Sequence, residues 1–214
     1  MHVLITGANR GIGAGLAHAY QARGDVVTAT ARNRPGLSPL DVTDPGSVRA
    51  LADAMGGAAL DLLICNAGVY LDRGESLATG FDPDIWAESF AVNVTGVFLC
   101  VQAFLPHLAR APKPKIAIIA SQMGSSTRAP GGSYVYRATK AAAINLGRNL
   151  ATDLRPRGIA VGVYHPGWVQ TDMGGADAEI TTDEAVSGLV ARFATLDLAT
   201  SGCFETWDGR AHAF

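Results

Sequence analysis

Tyr136 and Lys140 stand four residues apart in the stretch Tyr136-Arg137-Ala138-Thr139-Lys140. On a helix that spacing puts both side chains on one face. A cation beside a phenol favours the phenolate, so the pair predicts a Tyr136 pKa below the free value of about 10. Such a phenol can give a proton to a substrate oxygen or take one from it. Tyr134 is six residues from Lys140 and falls on another face, which makes it a pocket or packing residue.

A second chemical feature opens the chain. The strand-like run Met1–Ile5 leads straight into Thr6-Gly7-Ala8-Asn9-Arg10-Gly11-Ile12-Gly13, followed by a helical stretch. Glycines at a strand-to-helix turn let a pyrophosphate approach the backbone, and the helix start faces it with free N–H groups. The spacing is Gly-x-x-x-Gly-x-Gly rather than the common Gly-x-Gly-x-x-Gly. An acidic residue about 20 positions further on would bind a ribose 2′-hydroxyl. Here the second strand ends in Ala31-Arg32-Asn33-Arg34, with no Asp or Glu between Asp25 and Asp41. The planar fork of Arg32 suits a 2′-phosphate, and Arg10 is placed to reach the same group. NADP(H) is therefore expected over NAD(H).

These groups need a scaffold. Met1–Ile5, Val26–Ala31, Leu60–Cys65, Ile116–Ala120 and Ile159–Tyr164 read as buried strands, with a last one near Gly202–Thr206. Between them Ile12–Ala22, Ser47–Met55, roughly Asp84–Leu108, roughly Tyr134–Leu154 and Asp183–Thr195, capped by Thr182, read as helices. Strand–helix alternation through residues 1–214 predicts one α/β domain, a doubly wound parallel sheet of Rossmann type with helices on both faces. One crossover is too short. Only Arg32 to Leu40, with Pro35, Gly36 and Pro39, follows the second strand, so the usual crossover helix is missing and a strand stub is expected at Leu37–Leu40.

Composition narrows the function classes. Of 214 residues, 48% are hydrophobic and 17% charged, against disorder, and a net charge of −2 leaves no basic footprint for nucleic acid. No apolar run reaches the ~18 residues of a membrane span. The chain begins on a strand, so no secretory signal is expected. The three cysteines, Cys65, Cys100 and Cys203, show neither metal spacing nor a disulfide framework, which points to a reduced, cytoplasmic setting.

Taken in order, the motifs resemble those of the short-chain dehydrogenase/reductases. Thr6–Gly13 matches that family's cofactor turn, and Asp41-Val42 its adenine-contacting pair. Asn66-Ala67-Gly68 matches its Asn-Asn-Ala-Gly motif, with Cys65 in place of the first Asn. Asn93, in Asn93-Val94-Thr95-Gly96, and Ser121, in Ala120-Ser121-Gln122-Met123-Gly124, sit where the family keeps catalytic residues. Tyr136 and Lys140 match Tyr-x-x-x-Lys, and Pro166-Gly167 matches the motif after the sixth strand. The run His165-Pro166-Gly167-Trp168-Val169-Gln170-Thr171-Asp172-Met173-Gly174-Gly175 is most similar to the small C-factor and sniffer-type carbonyl reductases.

The resemblance implies a carbonyl reductase, or its reverse, with no metal. Tyr136 would be the general acid/base and Ser121 would hold the carbonyl oxygen. Lys140 would lower the Tyr136 pKa and bond the nicotinamide ribose, while Asn93 would anchor a proton-relay water. Thr171 would hold the nicotinamide amide, and Val169 and Pro166-Gly167 would line the cofactor. Tyr70, Met123, Tyr134, Trp168 and Met173 are the candidate substrate wall. His165 reads as a structural histidine. A dinucleotide-binding signalling protein with little turnover is the competing reading. A sugar-nucleotide epimerase is disfavoured because no residues remain for a substrate domain. The family further implies a homodimer or homotetramer through the two long helices.

Overall fold

The computed structural model describes residues 1–214. Its strands are β1 (His2–Ile5), β2 (Val26–Ala31), β3 (Ser38–Pro39), β4 (Leu62–Cys65), β5 (Lys115–Ile119), β6 (Ala160–His165) and β7 (Phe204–Thr206). They form one parallel sheet in the order β3-β2-β1-β4-β5-β6-β7. The order reverses between β1 and β4, the place where doubly wound sheets open a crevice at their carboxyl edge.

Alternate residues of each strand point to opposite faces, and both faces are dry. Leu4, Leu63, Ile116 and Val163 pack on one side beneath the helices α4 (Gly96–Leu108) and α5 (Tyr134–Leu154), through Val101, Phe104 and Ile144. Val3, Ile5, Leu62 and Ile64 pack on the other beneath α1 (Gly11–Ala22) and α6 (Thr182–Thr195), through Leu16, Tyr20, Leu189 and Phe193. Burying side chains of that size contributes about 1.5–3 kcal/mol each. The expected α/β sandwich is present.

Local starts follow from the sequence. Asp44 accepts the Gly46 N–H at 2.8 Å at the head of α2 (Pro45–Met55), and Asp82 accepts the Asp84 N–H at 2.9 Å at the head of α3 (Pro83–Phe90). Proline at the first helical position suits both. α6 begins one residue earlier than expected, so its cap is Thr181 rather than Thr182. Thr181 and Glu184 bond reciprocally, a capping box.

Two elements differ from the sequence reading. The β3 stub is only Ser38–Pro39, and, as expected, no helix follows β2. The single helix expected over residues 84–108 is three pieces, because a π-helical turn, Ala91–Thr95, separates α3 from α4. By length and composition Pro83–Leu108 is apolar enough to cross a bilayer, against the expectation that no such run exists. Its apolar face is spent on the sheet instead, through Val97, Val101, Phe104 and Leu108.

Candidate active site

Ser121 ends β5 in extended backbone and caps the short 3-10 turn Gln122–Gly124, its Oγ accepting the Met123 N–H at 3.1 Å. With that acceptor position used, the hydroxyl proton is free to point into the crevice. Tyr136 and Lys140 are adjacent turns of α5, both buried. The Lys140 ammonium lies 5.6 Å from the Tyr136 ring centre and donates to the Ile119 carbonyl at 3.0 Å. The geometry therefore brings Ser121, Tyr136 and Lys140 together as expected.

The electrostatics correct one expectation. Tyr136 is pushed up to about 12, not down, and burial of the phenol is the largest cause. The Ser121 hydroxyl, hydrogen-bonded to the phenol, pulls the other way, while Tyr70 and the Asp72 carboxylate push it further up. Lys140 is itself lowered to about 8 by desolvation, and its ammonium is committed to a backbone carbonyl. A phenol held protonated at neutral pH is an acid, the form that carbonyl reduction requires.

Asn93 sits inside the π turn, a distortion that recurs at functional sites. Its Nδ2 donates to the Val69 carbonyl at 2.9 Å and to Thr139 Oγ1 at 3.0 Å, and its Oδ1 accepts the Val69 N–H at 2.8 Å. Thr139 Oγ1 in turn donates to the Tyr136 carbonyl at 2.8 Å. The side chain thus ties the loop after β4 to the helix that carries Tyr136.

The cofactor turn has the features of an anion cradle. Gly11 has φ +51°, a left-handed conformation, and a Cβ on Gly13 would lie 2.3 Å from the Gly7 carbonyl oxygen. Arg10 precedes α1 without a side-chain cap, and the first turn contains no acidic residue. Its free N–H groups suit a pyrophosphate, so the residues present fit a dinucleotide. Asn66 braces the turn by donating to the Thr6 and Gly7 carbonyls at 2.9 and 3.0 Å. Thr6, which the sequence reading left unassigned, accepts the Asn66 and Ala67 N–H groups at 3.0 and 2.9 Å. Gly68 faces both Asn93 Oδ1 and Lys140 Nζ.

The other cofactor candidates divide. Arg32 is exposed at the end of β2, near enough to Asp41 to help lower its carboxyl, although the Thr43 hydroxyl bond does more. Val42 is buried against Gly96 of α4. Arg10, expected to reach the 2′-phosphate, is turned towards Asp172, with an ion pair at 3.1 Å. The Thr171 methyl sits over Gly11, while its hydroxyl is used within its own loop, accepting the Gly174 N–H at 3.0 Å. Val169 is buried and bridges to Ile180, and Gly167 turns the chain after Pro166 with φ +91°. Asn9 is exposed and Ile12 half-buried at the turn.

Among the substrate candidates, Tyr134 packs edge-on against Phe81 at 5.6 Å, Trp168 Nε1 donates to the Gly174 carbonyl at 2.8 Å, and Met173 is exposed. Met123 is half-buried beside Ser121. Tyr70 stacks directly on Tyr136, ring centres 4.4 Å apart, and bonds to the Ser133 hydroxyl. Asp72 was missed altogether. It is 1% exposed, and its carboxylate accepts the Val135 N–H at 2.9 Å and the Tyr136 N–H at 3.2 Å, capping the catalytic helix from outside it. Ser133, the residue before that helix, is the only non-glycine with positive φ, at 47°.

His165 ends β6, buried, with Nδ1 lacking a partner. Burial chiefly lowers it to about 4, with His212 and Arg128 adding. The unfolded ring binds its proton near pH 6.5, so stability is full above about 6.5 and is lost as pH falls towards about 4. Urea unfolding at about pH 7 and pH 5 should show the loss, and His165→Asn should reduce it.

A buried Tyr/Lys pair with a hydroxyl beside it, at the carboxyl edge of a parallel sheet next to a glycine cradle, defines a dinucleotide-dependent oxidoreductase. The short chain dehydrogenase family matches residues 1–181, and the chain belongs to that family. It is 38% identical over 164 residues to the C-signal protein of Myxococcus xanthus, covering 76% of this chain and 97% of that one. The structure of NADPH-bound carbonyl reductase from chicken fatty liver superimposes with a TM-score of 0.92 at 33% identity, covering 100% of this chain and 98% of the other. Carbonyl reductase Sniffer of D. melanogaster gives 0.92 at 26% identity, covering 100% and 99%.

Proposed function

We propose that this protein reduces aldehydes, ketones or quinones with NADPH, Tyr136 supplying the proton. The observation that carries the reading is the buried Tyr136 phenol on α5, with the Lys140 ammonium 5.6 Å from its ring centre. The cofactor, held at the Gly7–Gly13 turn, would supply the hydride. Ser121 then orients the carbonyl oxygen and Tyr136 protonates it, and the fixed donor pair stabilises the charge that develops there. Lys140, facing Gly68, is placed to bond a ribose and return a proton to the phenol. Asn93 uses both Nδ2 protons on protein atoms, so any water it anchors must be held elsewhere on the residue.

The test is NADPH oxidation with quinones, aromatic aldehydes and β-keto esters. Turnover supports the reading; NADPH binding without turnover on any of them sinks it. That second outcome would favour a signalling role, for which the observation is the likeness to the protein called C-signal. Cofactor choice rests on Arg32 and the absence of an acid beside it. Wild type should favour NADPH over NADH, and Arg32→Ala should cut that preference about tenfold, measured as the ratio of kcat/KM values.

A cytoplasmic location fits free thiols at Cys65, Cys100 and Cys203. A homodimer or homotetramer through the long helices would cover Phe98 of α4, 44% exposed.

A further inference from the structure

Beside Ser121 lies an open groove of about 490 Å³, lined by Gln122, Met123, Arg128, Ala129, Pro130 and Arg137. Its lining carries two guanidiniums and no carboxylate. Neither arginine is ion-paired, since the ion pairs of the chain are Met1–Asp25, Arg10–Asp172, Arg23–Asp25 and Arg210–Asp208. Both are nevertheless held in place. Arg137 donates from Nε to the Gly132 carbonyl at 3.0 Å and from a terminal nitrogen to the Met123 carbonyl at 3.4 Å. Arg128 donates to the Gln122 side-chain oxygen.

Pinning a guanidinium to neutral acceptors orients it without cancelling its charge. The remaining N–H groups suit the oxygens of a carboxylate or a phosphate. Surface arginines that serve solubility alone need no such anchoring. The place matters as much as the charge. Gln122 and Met123 of the lining belong to the 3-10 turn that Ser121 caps, and the Met123 N–H donates to Ser121 Oγ at 3.1 Å, so the groove borders the turn that carries Ser121. The only other polar side chain in the lining, Gln122, is already engaged with Arg128.

We propose that this groove is an oxyanion subsite, and that the carbonyl substrates turned over best carry a carboxylate or phosphate tail which Arg128 and Arg137 bind. The proposal rests on the reductase reading and deepens it. Exposed charges are screened by salt, so the preference for anionic substrates should weaken as ionic strength rises.

The experiment compares reduction of 4-formylbenzoate, 4-(4-formylphenyl)butanoate and (4-formylphenyl)phosphonate with that of the uncharged methyl esters of the two carboxylates and the uncharged dimethyl ester of the phosphonate. Wild type should favour the charged member of at least one pair by about tenfold in kcat/KM, mostly through KM. The carboxylates and the phosphonate separate the two tail chemistries. In Arg128→Gln combined with Arg137→Gln the charged-to-neutral ratio should fall to about one, and the matching Lys variants should keep part of it. A ratio near one in wild type, or a preference surviving the double Gln variant, overturns the subsite while leaving the reductase standing.

Binding by calorimetry separates the two readings if no carbonyl is reduced. The probe is the unreactive dicarboxylate 4-(3-carboxypropyl)benzoate on NADPH-saturated protein. Binding weakened about tenfold in the double variant upholds the subsite; equal binding, or none in wild type, overturns it.

Discussion

Under the proposed reductase activity, Tyr136→Phe should lower kcat for carbonyl reduction by about 10²–10⁴-fold and leave NADPH affinity close to wild type. The substitution removes one oxygen from a buried ring. The Tyr70 stack at 4.4 Å and the backbone bonds of α5 do not depend on that oxygen. What disappears is the buried phenol beside Ser121, a titratable donor that stays protonated at neutral pH. Ser121 remains to orient the carbonyl, which is why a residual rate is expected rather than none. Single-turnover reduction with NADPH bound beforehand isolates the chemical step. A variant retaining more than about a tenth of the wild-type rate would remove Tyr136 from its role.

The largest effect on stability is expected at Asp72. Asp72→Ala leaves the Val135 and Tyr136 N–H groups without acceptors in a buried place, where each bond to a charged acceptor contributes about 1.5–3 kcal/mol. A loss of about 3 kcal/mol or more should appear as a lower urea midpoint at unchanged slope. Asp72→Asn keeps the shape and one acceptor, so it folds better than the alanine variant and permits a second measurement. Its lost negative charge no longer pushes the Tyr136 phenol up, and the alkaline limb of kcat should move to lower pH. If the limb stays in place while stability falls, Asp72 is a helix cap and nothing more.

The motif-bearing turns were legible because each uses residues whose reason is local. Glycines mark the anion cradle, alternating β-branched runs mark buried parallel strands, and a Tyr/Lys spacing marks a helix face. The direction of the Tyr136 shift was not legible. It depends on how deeply the phenol is buried and, further, on Tyr70 and Asp72, whose contacts with α5 span more than sixty positions of sequence. Asp72 itself lies in a stretch, Leu71-Asp72-Arg73, with no pattern to single it out. The π turn was hidden for a related reason: Ala91–Thr95 lies inside a long apolar helical run, and the bonds of Asn93 at its centre go to Val69 and Thr139, both distant in sequence. Arg10 was assigned by its place in the turn, but its partner Asp172 arrives from the far end of the chain.

The bonds between Asn93 and Val69 and Thr139, with those that Asp72 accepts from the head of α5, fasten the loop after β4, the π turn and the helix carrying Tyr136 into one block. The exposed stretch 126–132 contributes none of these bonds. A protein engineer could therefore exchange that stretch as a cassette and, if the proposed subsite holds, alter which molecules are accepted while the Tyr136–Lys140 arrangement is inherited intact. Variation in such a chain is free to explore new substrates without first re-solving how the catalyst is assembled.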